Sequence, residues 1–284
     1  MGEPTVRKRK LGAELRRFRE AAGLKLDDVA ARTSMPASKI SRVELARLGI
    51  KPDDLNALLD LYGVDDPQKR EALHSLARHG SVRGWWQTYR GIISPDYYDL
   101  ISMEATAQRM RAFEASLVPG LFQTAAYARK TISAINMTST EAEVDALVEV
   151  RMARQSALTR PEPLQVSAVI HESALRPRIK GEPQTMKDQL QKLLDITRLP
   201  HVSIQVLPLD SPPHVGMSGS FTVIGFPETA DLDVVLLEHL TSALYVEDAA
   251  EVSRYGRAFE HLSAAALPFD ASADLIAQLK DSIQ

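Results

Sequence analysis

The chain contains no cysteine among its 284 residues. That absence excludes disulfides, thiolate nucleophiles and cysteine-ligated zinc. Long apolar runs are missing too. None approaches the roughly 18 residues that a membrane span needs, so no membrane partner is expected. Residues 1–10 are basic but carry neither an apolar stretch nor a small-residue cleavage site, and a signal peptide is not expected. A cytoplasmic protein is the expectation. Internal repeats, low-complexity tracts and a glycine-rich phosphate cradle are also wanting.

Catalytic constellations fare no better. Gly216-Met217-Ser218-Gly219-Ser220 places a serine as a nucleophile elbow does, but its last glycine is displaced and it precedes a strand. His214 reads as a loop residue. His171-Glu172 and Glu238-His239 are adjacent pairs, not the i, i+4 histidines of a zinc-binding helix. We expect no catalytic residue, no metal and no cofactor, and a protein that is not an enzyme.

What is present is charge, unevenly placed. Overall usage is ordinary for a soluble globular chain, at 44% hydrophobic and 25% charged residues. The formal net charge of −3 hides an asymmetry. Residues 1–51 hold thirteen Lys/Arg against six Asp/Glu, a net +7; the rest holds 21 against 31, a net −10. A cationic head on an anionic body fits a polyanion-binding domain joined to something else.

The head reads as about five short helices. Leu11, Leu15 and Phe18 recur at helical spacing from Lys8 to Ala22, and Gly23 caps that helix. A second helix spans about Leu26–Thr33, with Asp27 and Asp28 favoured in its first turn. Ser34-Met35-Pro36 makes a turn, and Pro36 presets a third helix at about Ala37–Leu45 that buries Ile40 and Val43. Helices at about Asp53–Tyr62, closed by Gly63, and Pro67–Arg78 follow. Ala30 is the small residue expected where two helices cross. His79-Gly80-Ser81 to Gly84 reads as a hinge, giving domains at 1–79 and 80–284.

The body reads as α+β. Helical patterns fall at about 97–115, 121–136, 140–159, 183–199, 247–266 and 271–282. Strands fall at Leu164–His171, Val202–Leu207, Gly219–Phe226 and Asp233–Glu238, a small sheet of roughly four. The long loop from Pro208 to Gly219 reads as a mobile segment, a lid or a partner contact.

The run from Gly23 through Leu26, Ala30, Ile40 and Ser41-Arg42-Val43-Glu44 resembles the Xre/Cro-repressor family of helix-turn-helix domains. Two positions depart. The residue after Glu44 is usually glycine and here is Leu45. The second helix usually opens with Ser/Thr and Gln, and here reads Lys25-Leu26-Asp27, so base preference does not carry over. The resemblance implies that the third helix lies in the major groove of double-stranded DNA. Ala37, Ser38, Lys39, Ser41 and Arg42 then line the groove, with Ser38, Lys39 and Arg42 as base or phosphate contacts. Lys25 and Arg32 would clamp phosphates, and Arg7–Lys10 would form a flexible arm. Arg42 either pairs with Glu44 or reads a guanine.

The body resembles the C-terminal domain of WhiJ-like, antitoxin-like actinobacterial regulators. The matching text includes Trp85–Tyr89, Val118-Pro119-Gly120-Leu121-Phe122-Gln123-Thr124, Arg151–Gln155, Glu172–Arg176, Gln189-Leu190 and Gly219-Ser220-Phe221. The resemblance implies a nucleoid-associated transcriptional regulator, a repressor of developmental or stress-linked genes, often encoded beside a small acidic partner protein. A homodimer is expected, because one small helix-turn-helix offers little surface. The alternative is an antitoxin-like protein that mainly holds the small partner, with DNA binding for autoregulation. Trp85, Trp86 and Tyr89 form either core or a ligand box. Arg151 and Arg154, with Arg160, form either a solvated face or a receptor for an acidic partner or effector anion.

Overall fold

The computed structural model describes residues 5–79, 84–89, 91–176, 181–226 and 232–283. The chain divides into two compact units, Met1–Trp85 with Phe226–Leu232, and Trp86–Gly225 with Asp233–Gln284. Most of the expected hinge, Gly80 to Arg83, lies outside the described residues.

The first unit packs five helices: α1 (Val6–Ala21), α2 (Leu26–Arg32), α3 (Ala37–Glu44), α4 (Pro52–Leu61) and α5 (Pro67–His79). Their apolar faces meet through Leu11, Leu15, Val29, Ile40, Val43, Leu55, Leu58 and Leu73, all at most 5% exposed. Gly23 (φ 70°) and Gly63 (φ 68°) take the left-handed cap positions after α1 and α4. The flexible arm expected at Arg7–Lys10 is instead the first turns of α1. Thr5 caps that helix by accepting from the Lys8 amide, and Arg7 and Lys10 are buried.

The cap after α3 explains the missing glycine. Ala46, not Leu45, is the left-handed residue, with φ 58°. The Ala46 amide donates to Val43 O at 2.9 Å and the Arg47 amide to Arg42 O at 2.8 Å, the paired bonds of a Schellman motif. An alanine at φ > 0 carries a steric cost that glycine would not.

Two features fix α3 against α1. Gly12 meets the carboxyl end of α3 so closely that a Cβ there would lie 2.8 Å from Val43 O and closer still to Glu44 O. A close crossing of α1 and α3 is therefore served by Gly12, a residue that spacing did not single out. Arg19, in the last turn of α1, grips Glu44 with two bonds, Nε to Oε1 at 2.7 Å and Nη2 to Oε2 at 2.9 Å. Its Nη1 donates to Leu24 O at 2.9 Å, which ties in the start of the α2 segment. Both side chains are nearly buried, at 11% and 6% exposure.

The second unit is built on a mixed sheet, six strands among the described residues. In chain order these are β1 (Arg109–Glu114), β2 (Gln165–His171), β3 (Val202–Leu207), β4 (Phe221–Gly225), β5 (Val234–Glu238) and β6 (Ala243–Val246). The spatial order is β3-β2-β1-β4-β5-β6. β1, β2 and β3 run parallel, while β4, β5 and β6 pair antiparallel. The helices are α6 (Pro95–Glu104), α7 (Ala125–Ile135), α8 (Glu141–Arg154), α9 (Pro183–Ile196), α10 (Ala249–Ala265) and α11 (Phe269–Asp281). One sheet face, carrying Phe113, Val169, Val223 and Val235, packs under Val252, Phe259 and Leu262 of α10.

The count of six corrects the expected four. β1 falls inside the segment expected as helix at 97–115; its Arg-Met-Arg-Ala-Phe-Glu composition favours helix locally, and pairing to β2 and β4 overrides that preference. β6 is a four-residue edge strand after a short turn, too brief to show alternation.

The α1–α3 junction sets two expectations for thermal or denaturant unfolding. Gly12→Ala should destabilise the chain by about 1–3 kcal/mol, since carbonyl oxygens cannot give way as a side chain can. Glu44→Ala should cost about 3–5 kcal/mol by stranding the Arg19 guanidinium. Near-wild-type midpoints would contradict the junction described here.

Candidate nucleic-acid interface and second-unit cavity

The side chains on α3 divide by depth. Ile40 and Val43 are buried, Ser38 and Arg42 are exposed one turn apart, and Ala37, Lys39 and Ser41 are half-buried beside them. The turn before α3 is held by Thr33, whose hydroxyl donates to Val29 O at 2.8 Å, and by buried Met35. Arg32, at the end of α2, and Lys25, just before it, are both exposed. The Lys25 amide donates to Asp28 Oδ2 at 2.8 Å, but Lys25 offers no side-chain acceptor to the first-turn amides of α2 as the missing Ser/Thr would.

Glu44 is engaged by Arg19, which removes it as a partner for Arg42. Arg42 makes no ion pair with any described residue and stays available on the outer face of α3. Lys39 stands differently: its Nζ lies 2.6 Å from Asp54 Oδ2 in the first turn of α4. A phosphate would have to compete for that ammonium. Local pattern could not reveal this pair, because its members are 15 residues apart on different helices. Arg47, just beyond the α3 cap, is a further exposed cation that spacing within the motif did not single out.

In the second unit, the sequence-selected residues separate. Trp86 is 4% exposed and meets Tyr98 edge-to-face at 6.3 Å. Trp85 falls in the first unit and is 36% exposed, while Tyr89 OH donates to Glu149 across 3.3 Å. Arg154 does not lie on a solvated face. It is buried, with Nε on Glu104 Oε2 at 2.8 Å, Nη2 on Glu104 Oε1 at 2.5 Å and Nη1 on Tyr97 OH at 2.8 Å. Burial works against its charge, but Glu104 and Tyr97 outweigh that and hold the guanidinium firmly protonated. Arg160 binds carbonyl oxygens of Glu104, Ala105 and Ala107 and so closes the end of α6.

Arg151 donates to Tyr97 OH at 3.2 Å and to Gln123 Oε1 at 2.8 Å. Gln123 is itself buried and donates to Val118 O at 2.8 Å. Buried Gln189 supports the same segment, donating to Phe122 O at 2.8 Å and accepting from the Thr124 amide at 2.7 Å. The Val118–Thr124 stretch is thus a rigid wall. Between it, α7, α8 and the sheet face opposite α10 lies a cavity of about 440 Å3 lined in part by Arg151 and Arg154. The Pro208–Gly219 loop is tied down at two points: Leu209 N donates to Glu172 Oε2 at 2.9 Å, and Gly216 sits so close to the Phe113 ring that a Cβ would overlap it.

Among the described residues no three His, Asp or Glu side chains gather to hold a metal, and no helix is long and apolar enough to cross a membrane.

A five-helix unit with an exposed α3 face and a cationic charge has the arrangement of a helix-turn-helix DNA-binding domain. Residues 10–73 match the family model described as a helix-turn-helix domain. Residues 97–278 match the model described as a domain of unknown function, DUF5753, and the chain belongs to that family. No curated protein and no solved structure matches the chain.

Arg42→Ala should weaken binding to DNA enriched from a random-sequence pool by about 1–3 kcal/mol in a mobility-shift titration. Asp54→Asn frees Lys39. It should tighten binding at low salt and steepen the salt dependence by about one phosphate contact. An unchanged slope would show that Lys39 does not reach the backbone.

Proposed function

We propose that this protein is an Xre-type transcriptional regulator, a nucleoid-associated repressor whose second unit receives a controlling effector. The observation that carries the reading is the division of α3 into a buried side, Ile40 and Val43, and an exposed side, Ser38 and Arg42. Exposed Lys25, Arg32 and Arg47 flank it as phosphate contacts, which supply most of the affinity. The Arg42 guanidinium has the fork geometry that reads guanine.

Two copies are proposed to act together, each inserting α3 into one of two successive major-groove turns. One module of this size buries too little surface for tight specific binding. The role assigned here is binding rather than catalysis. Ser218 ends a short helix and leads into β4, not from strand to helix as a nucleophile elbow does. The walled cavity of the second unit favours a small effector over an acidic partner protein as the controlling species.

Selection from a random pool should return paired half-sites with centres about 10–10.5 base pairs apart, or a multiple of that. Sedimentation of the full chain on that DNA should give two protomers per duplex. A single protomer on an unpaired half-site would overturn the dimer.

A further inference from the structure

We propose that the cavity of the second unit is a binding site for a small organic cation, an amine on an apolar body, whose ammonium is held between Glu114 and Glu238. The proposal gives a chemistry to the effector role assigned above and in that sense rests on it.

The floor of the cavity is a sheet face. Met110 and Ala112 of β1, Thr222 of β4 and Leu236 of β5 line it. The register pairs Phe113 with Phe221 and Thr222 with Leu236. One step along, Glu114, Ser220 and Glu238 fall in a single row across three neighbouring strands, and all three line the cavity. Adjacent strands lie about 4.8 Å apart, so the two carboxylates flank Ser220 with backbones about 10 Å apart. The apolar floor and the exposed Ile135 and Leu240 among the lining residues suit an apolar body. The volume of about 440 Å3 falls within the usual range for small-molecule sites, about 300–1,000 Å3.

The carboxylates of the strand row, Glu114 and Glu238, set the sign of the ligand, and the far wall is largely neutralised. Arg154 is bound to Glu104 and Tyr97, and Arg151 to Tyr97 and Gln123. An anion would have to displace Glu104 from Arg154, whereas Arg151 meets only neutral oxygens and leaves its charge near Glu114. Neither Glu114 nor Glu238 makes an ion pair with a described residue. Burial pushes the Glu114 carboxyl up to about 8; the Glu238 charge adds to this, while Ser220 and Arg151 oppose it. His239 and the Glu104–Arg154 pair complete the ionisable surroundings.

A carboxyl kept protonated in the empty site ionises when an ammonium arrives, and the proton leaves to solvent. The group titrates near 8 when free and lower when the cation is bound. Affinity therefore rises with pH from 6 to about 8 and levels off above it.

The test uses the full chain without DNA. Tryptamine, tryptophol and indole-3-acetate present one apolar body with positive, neutral and negative heads; butylamine and 2-phenylethylamine vary the body. Calorimetry and thermal shift should show an amine binding at least tenfold tighter than its neutral analogue, with the anion weakest. Binding at pH 7 should release a proton, seen as a dependence of the heat on buffer ionisation. Glu114→Gln, which mimics the protonated acid and spares the fold, should lose at least tenfold in affinity together with the pH dependence; Glu238→Gln should lose a smaller factor. Absence of stabilisation by every amine at millimolar concentration overturns the proposal. So does equal binding of the alcohol, or unchanged binding by Glu114→Gln. Amine binding that leaves DNA affinity untouched supports the site and counts against the effector reading instead.

Discussion

The carboxyl end of α3 is held by a close backbone approach and one ion pair, added to the apolar packing of Ile40 and Val43. Gly12 lets α1 lie against the carbonyl end of α3, and Arg19 closes the same end by gripping Glu44. The two features reinforce each other. Close approach brings Arg19 within reach of Glu44, and the bidentate pair in a nearly dry site holds the helices at that distance. Everything proposed for Ser38 and Arg42 follows from the angle this junction sets. A side chain can read a base edge only if its helix does not roll.

The second unit solves a different problem. Its sheet is covered on one face by α10 through aliphatic and aromatic packing. On the other face the covering helices leave a cavity, and polar groups take over the work of holding shape. Buried Gln123 and Gln189 anchor the Val118–Thr124 wall to backbone groups, while Arg154 and Glu104 tie α8 to α6. Networks of this kind stay open without collapsing because each polar group has a fixed partner.

Much of this was legible beforehand. The five helices of the first unit, their glycine caps at Gly23 and Gly63 and the buried pair Ile40 and Val43 follow from spacing alone, because helix periodicity and cap chemistry are local. β1 was not legible, since Arg109 to Glu114 prefers helix until two neighbouring strands claim it. Gly12 is not legible as a crossing residue because a close crossing is a property of two helices, not one. The same holds for Lys39 and Asp54, and for Arg42 and Arg19 competing for Glu44. Gln123, Arg151 and Gln189 stand out in the sequence only as parts of a resemblance, and their role as the frame of the cavity follows from partners distant in the chain.

The Lys39–Asp54 pair bears on how such a protein travels along a chromosome. When Lys39 turns to a phosphate, Asp54 is left as a bare carboxylate beside a polyanion. That repulsion is present on every sequence, whereas contacts to base edges are present only on the right one. A penalty that is the same on every sequence shortens a stay on random DNA and a stay on a cognate site by the same factor. The search becomes many brief visits in place of long slides, while the ratio of cognate to random affinity is left to the side chains that meet base edges.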